Sequence, residues 1–276
     1  MSGVAARCYP GGVSLILGEG KTCLTALLLP VIAAPFVGSF LGVLIARLPA
    51  GRPVVMDRSR CETCERVLGP IDMVPILSYA VLLGRCRGCR APIGGRHLAV
   101  ELAALGVALW ALTVDVEPAR FGVDCGLGWT LLALAWIDWR HFRLLDVLTL
   151  PLLLAGLAVT WLEAPEDLTD HAIGAAAGYL GFAGLAWIYR TIRRRDGLGL
   201  GDAKLLAAGG AWLGWMALPH VILVAACGGI VVALAMAVRR GGLDGSARIP
   251  FGPWLCLSIW ILRLYDSSND WGSWYL

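Results

Sequence analysis

The sequence predicts an all-α polytopic membrane protein. About eight transmembrane helices are expected, with a small cytoplasmic tetracysteine domain between the first and second. Three observations predict this. The 276-residue chain is 58% hydrophobic and only 16% charged, with a mean hydropathy of +0.72, which excludes an ordinary soluble domain. Apolar runs on the order of 20 residues recur along its length. Two C-x-x-C pairs fall together in the one long polar stretch.

The apolar segments run over 23–47, 98–115, 125–139, 147–162, 171–189, 203–218, 220–238 and 250–265. The third and sixth are short, so they tilt little or are partly re-entrant. Residues 1–22 contain Arg7, several glycines and only a short apolar patch before Lys21, a poor secretory signal. They form a short leading tail. The predicted organisation is that tail, a first transmembrane helix over 23–48, a cytoplasmic domain over 49–97, a membrane-embedded core over 98–266 and a tail over 267–276. No internal repeat or low-complexity tract is evident.

Arginine placement sets the orientation. The polar stretch after the first span holds Arg52, Arg58, Arg60, Arg66, Arg85, Arg87, Arg90 and Arg96. Further arginines follow the third, fifth and seventh spans. The alternate connections, "VDVEPARFGVD", "EAPEDLTDH" and "ALPH", hold a single arginine among them. By the positive-inside rule the arginine-rich connections are cytoplasmic, and both termini lie on the opposite side.

"CETC" (Cys61, Cys64) and "CRGC" (Cys86, Cys89) have the spacing of a four-thiolate structural zinc site. Each hook supplies two sulfurs from one tight turn, and the domain is too small to bury a core of its own. Redox dithiols or disulfides are the alternatives, and a reducing cytoplasm disfavours the latter. Cys8, Cys23, Cys125, Cys227 and Cys256 are scattered singly and read as small apolar filler.

Ionisable groups at membrane depth are expensive and point to function. Here they are Asp138, Asp146, Asp202, Lys204 and, near the start of the second span, Glu101. Asp138 falls at the cytoplasmic end of the third span and Asp202 at the cytoplasmic start of the sixth. Two carboxylates distant in sequence thus reach one depth on one side, as a proton-sharing pair requires. Plainer readings compete. Asp202 is well placed to cap a helix, and Asp138 stands two residues from Arg140. The lack of a preceding strand and of a GK[ST] ending weighs against a phosphate loop. Gly197, Gly199 and Gly201 remove side chains just before Asp202, giving a substrate backbone room to approach.

With these residues in place, the chain resembles the bacterial prepilin peptidases, a type IV leader peptidase family of GxGD membrane aspartyl proteases. The resemblance runs from about Ala34 to the last span. "GSFLGVLIARLP" (Gly38–Pro49) is similar to the family's opening segment, which usually has asparagine where this chain has Gly42. The two C-x-x-C pairs and "VPILSYAVLLGRC" (Val74–Cys86) match its cytoplasmic domain, and "VEL" (Val100–Leu102) matches the segment after that domain. "IDWRHFRLLDVLTLP" (Ile137–Pro151) carries the first catalytic aspartate at Asp138, "GLGLGDAKLLAAGGAWLGW" carries GxGD with the second at Asp202, and "IPFGP" (Ile249–Pro253) precedes the last span. GxGD also occurs in presenilin-type proteases, which lack the tetracysteine domain and "IPFGP". The chain departs at Leu145, usually proline, and at His97-Leu98, usually Tyr-Pro.

The resemblance implies an aspartic-type endopeptidase of the bacterial inner membrane. Its substrates would be type IV prepilins or type II secretion pseudopilins, cut where a basic leader meets an apolar helix at the cytoplasmic face. One aspartate would activate water while the other protonates the scissile carbonyl. Gly199, Gly201 and Lys204 would support the site. It further implies N-methylation of the new N-terminus with S-adenosylmethionine in the part carrying the cysteine domain, with Gly84 and Arg85 as candidates. The implied partners are the precursor proteins and membrane lipid, with no nucleic acid. Two other classes remain open from the residues alone. One is an ion-coupled transporter using intramembrane carboxylates, which would place them near the bilayer midplane. The other is a zinc-organised assembly protein without catalysis.

Overall fold

The computed structural model describes residues 19–54, 59–61, 63–114, 116–194, 199–240 and 250–266. Gly197, Arg58, Arg195 and Ile249 lie outside the described residues, as do the side chains of Lys21 and Cys23. The helices are α1 (Glu19–Arg47), α2 (Leu77–Val81), α3 (Arg96–Val114), α4 (Pro118–His141), α5 (Asp146–Glu163), α6 (Leu168–Arg193), α7 (Leu200–Leu213), α8 (Leu218–Arg240) and α9 (Gly252–Asp266). No β-strand occurs among the described residues beyond two isolated bridges. Each of the eight apolar segments coincides with a helix, α1 and α3 to α9.

Six of them, α1, α3, α4, α5, α6 and α8, are long and apolar enough to cross a membrane. The expectation of eight such spans is therefore not met by length. α7 has 14 residues and α9 has 15, so each is about 21–23 Å long against a hydrocarbon thickness of about 30 Å. The third segment, expected to be short, is instead a 24-residue helix that starts at Pro118. Proline is well tolerated in a first helical turn. The polar residues of the early turns, Arg120 and Asp124, disguise the start, yet Asp124 is wholly buried. The sixth segment ends five residues earlier than expected because Gly214 adopts φ +76° after Leu213, a conformation that suits glycine and stops the helix.

The chain divides into two units, Met1–Trp129 and Thr130–Leu276, with the boundary inside α4. In the first, α1 packs on α3. Ala34, Leu41 and Ile45 are buried on α1, and Val100, Ala104, Ala108 and Ala111 on α3, both at the spacing that keeps one helical face turned to its partner. Gly38 permits the approach, since a Cβ there would stand 2.6 Å from the Cα of Glu101. Small residues at helix interfaces are what allow close packing where lipid provides no hydrophobic drive. The indole N–H of Trp129 donates to the Ala104 carbonyl at 3.0 Å. The described residues between α1 and α3 form short turns around the cysteines, with α2 as their one α-helical piece.

In the second unit α7 is the core. Ala203 and every residue from Leu205 to Leu213 are buried, and α5, α6 and α9 surround it. Glycines again set the distances. A Cβ on Gly178 would meet the Leu206 carbonyl oxygen at 2.8 Å, and one on Gly156 would meet Trp212 Cδ1 at 2.7 Å. The far end of α7 is pinned by polar contacts that are valuable where water is scarce. Trp212 Nε1 donates to the Leu152 carbonyl at 2.8 Å, and His171 Nδ1 lies 2.9 Å from the Ala211 carbonyl. The Arg263 guanidinium sits 5.6 Å above the Trp212 ring, within cation–π range. The result is a short rigid strut with Asp202 in its first turn.

Candidate active site

Asp138 lies one turn before the end of α4 and is 6% exposed. Its Oδ2 accepts a hydrogen bond from the backbone N–H of Gly252 at 3.1 Å. Gly252 is the first residue of α9, so its amide is one of the four that a helix start leaves without an intrahelical partner. Gly252 is not singled out within "IPFGP" by the sequence reading, although the signal is there: glycine permits a close approach and proline sits comfortably in the first turn of a helix.

Asp202 occupies the first turn of α7 and is half-buried. Its amide donates to the Gly199 carbonyl at 3.1 Å, which closes that turn. Asp138 is held by the start of α9, which packs on α7 and carries the buried Cys256 one turn further on. The unit therefore brings α4, α7 and α9 to one point. Two carboxylates that shared one proton would present both an acid and a base to a bound water.

The flanking residues also fall here. Gly199 lies against Asp202, where an added Cβ would be in ordinary contact, 3.4 Å from Oδ2. Gly201 faces Leu144, whose Cβ would be 3.0 Å from a Cβ at position 201. The space that Gly201 leaves is thus taken by the chain's own side chain. Lys204 Nζ donates to both oxygens of Asp146 at 2.7 Å. Asp146 and Leu144 belong to the site's surroundings, and sequence alone does not pair them with α7.

In the first unit Cys61, Cys64, Cys86 and Cys89 converge, with their four Sγ atoms within 4.8 Å of one another. The two hooks are built alike. The amide of Cys61 bonds the Arg66 carbonyl and that of Cys86 the Ala91 carbonyl, both at 2.9 Å. Glu65 and Arg90, each four residues after the first cysteine, take left-handed φ of 55° and 56°. Within each hook, backbone N–H groups point at the first sulfur. Those of Cys64 and Thr63 pull the Cys61 thiol down to about 6, and those of Cys89 and Gly88 lower Cys86. The Cys61–Cys89 and Cys64–Cys86 Sγ separations are 3.8 and 4.0 Å. A tetrahedral site with metal–sulfur bonds of about 2.3 Å has edges of about 3.8 Å, so this group can bind a metal ion. Among the single cysteines, Cys125 and Cys256 are buried, while Cys227 is exposed.

The same unit holds a cavity of about 540 Å³ between α1, the start of α3 and the cysteine turns. Glu101, 6% exposed, lines it and accepts the Ile76 N–H at 2.8 Å. Tyr79, Phe40, Arg47 and His97 are also in its wall. Gly84 is held at φ +68° against the Tyr79 hydroxyl, and neither it nor Arg85 lines the cavity among the described residues.

Residues 32–114 match the model of the bacterial peptidase A24 N-terminal domain, and residues 125–234 match that of the type IV leader peptidase family. A prepilin leader peptidase/N-methyltransferase of Burkholderia pseudomallei is 40% identical over 91% of this chain and 88% of its own length. Proteins of the same name from Aeromonas hydrophila and Pseudomonas aeruginosa are 38% and 34% identical, over 87% and 88% of this chain and 90% and 91% of their own. No solved structure matches the chain. With both domain models matched in order and relatives alike over nearly their full length, the chain belongs to the type IV leader peptidase family.

Proposed function

We propose that this multi-pass membrane enzyme, an aspartic-type endopeptidase by family, removes the basic leader from type IV prepilins and type II secretion pseudopilins. Asp138 and Asp202 act as its catalytic pair. The observation that carries the reading is geometric: Asp138, near the end of α4, accepts the first amide of α9, and α9 packs on α7, whose first turn holds Asp202, 64 residues further along the chain. One accepts a proton from water as that water attacks the scissile carbonyl, and the other donates a proton to the carbonyl oxygen. The Gly252 amide fixes the orientation of Asp138. Arginine bias puts both aspartates at the cytoplasmic face of the bacterial inner membrane, where a basic leader gives way to an apolar helix. The transporter reading suits this less, because the carboxylates are at helix ends.

A second activity is N-methylation of the new N-terminus, supported by relatives that are named prepilin leader peptidase/N-methyltransferase. S-adenosylmethionine, when bound, supplies the methyl group to the free amine. The cavity of the first unit fits it in size and chemistry. Sites for such ligands measure about 300–1,000 Å³, the Glu101 carboxylate suits a sulfonium or ammonium, and the wall offers Tyr79 for an adenine face. The four cysteines hold a structural zinc that ties the turns of this unit together.

Co-expression with a candidate prepilin, followed by mass measurement of the product, tests both activities. Leader loss reports cleavage, and a further methyl mass reports transfer. An Asp202→Asn variant is expected to methylate a pre-cleaved pilin peptide while failing to cut the precursor. Loss of both activities in a folded Asp202→Asn protein would mean one shared site.

A further inference from the structure

We propose that Asp146 and Lys204 form a positioning pair for the two catalytic carboxylates. Each partner is tied by a short length of chain to one aspartate. Lys204 follows Asp202 by two residues in the first turns of α7, and Asp146 follows Asp138 by eight. Between Asp138 and Asp146 run the last turn of α4 and a four-residue strap, Phe142 to Leu145. Phe142 has φ +52° at the point where α4 stops. The strap meets α7 at two places, Leu144 on Gly201 and Asp146 on Lys204. Joining Asp146 to Lys204 therefore closes a frame in which the separation of Asp138 from Asp202 is fixed.

Two physical points favour positioning over the alternatives. Residues two apart on a helix do not face each other, so Lys204 does not share a face with Asp202. Both of its short contacts go to Asp146. Exposed ion pairs also add little stability, and Asp146 is 55% exposed in its side chain. A pair that contributes little to folding but joins the two chain segments bearing the carboxylates acts on their geometry. Lysine here is also unusual, since the only other lysine in the chain is Lys21 and every other basic side chain of that kind is arginine. Its compact ammonium reaches both oxygens of Asp146 from a single nitrogen.

This inference rests on the peptidase reading above. The test uses the full-length protein in detergent with a purified prepilin, measuring kcat, KM and Tm. Asp146→Asn and Lys204→Met are each expected to lower kcat about tenfold to a hundredfold, the scale of a misplacement near 1 Å. KM and Tm are expected to stay near the unaltered values. The double variant is expected to be no worse than the worse single one. The exchange Asp146→Lys with Lys204→Asp is expected to recover about fivefold or more over that single variant, because the pair is restored with reversed sign. Unchanged kcat in both single variants, a rise in KM alone, a fall in Tm matching the loss of kcat, or no recovery on exchange would each overturn the proposal. Asp138→Asn run alongside separates the two failures: if it still cleaves, the peptidase reading itself is wrong.

Discussion

The amide of Gly252 and the carboxylate of Asp138 are bound at 3.1 Å, and a Cβ at position 252 would stand 2.6 Å from the same oxygen. Glycine is therefore required there by the carboxylate, not by the backbone, which carries no left-handed φ at this residue. Gly252→Ala is expected to push Asp138 out of place and lower leader cleavage about a hundredfold. Overpacking of this kind costs about 1–3 kcal/mol of stability, so the variant should still fold. The measurement is the ratio of precursor to mature prepilin, with protein level checked by immunoblot. Normal processing by Gly252→Ala would show that Asp138 does not need this contact.

The four cysteines are expected to bind about one zinc per chain, as a closed structural site does. Replacing Cys61 and Cys64 by serine is expected to remove the metal and destabilise residues 49–97 against proteolysis, since metal binding and folding are coupled in small sites. Metal content of the purified protein, read beside a count of free thiols, decides this. Four reduced thiols without zinc would leave the cluster as packing or redox chemistry.

Gly42 and His97 meet in space, and a Cβ at 42 would stand 3.0 Å from His97 Nδ1. Gly42→Asn is expected to lower Tm by crowding the imidazole, and His97→Ala in the same chain is expected to relieve it. Thermal unfolding of the two single variants and the pair gives the coupling. Additive effects would show that the two positions do not interact.

Membrane topology is checked by reporter fusions at Arg58 and Asp167. Arginine bias places the first in the cytoplasm and the second outside. Reporters on the same side would remove the shared depth of the two aspartates.

Local pattern made much of this legible. Apolar period placed every helix that the eight segments name, and the C-x-x-C spacing alone indicated a four-sulfur site. Legibility failed where one residue changes the meaning of its neighbours. Asp124 reads as a loop residue because a charge interrupts the apolar run, yet it is buried inside α4. Gly214 reads as one more glycine in a glycine-rich helix, yet its φ of +76° ends α7. The partners of the site residues were hidden for a different reason. Gly252 and Asp138 are 114 residues apart, and Lys204 and Asp146 are 58 apart. Such pairings follow from how the helices pack, which periodicity within one helix does not encode.

Asp138 and Asp202 are expected to act as one unit, because a shared proton needs both carboxylates. Asparagine is nearly isosteric with aspartate and does not ionise. It also keeps an oxygen that can accept the Gly252 N–H, so Asp138→Asn preserves the hydrogen bond seen at 3.1 Å and removes only the charge chemistry. Asp138→Asn and Asp202→Asn should each abolish leader cleavage while leaving insertion and folding intact. The double variant should be hardly worse than either single one, since losses within one catalytic unit do not add. Asp146→Asn, outside the pair, should retain measurable cleavage. The precursor-to-mature ratio of a co-expressed prepilin, normalised to variant abundance, reads all four. Substantial processing by a well-expressed Asp202→Asn protein would mean that the chain cuts its substrate by some other means than this pair of aspartates.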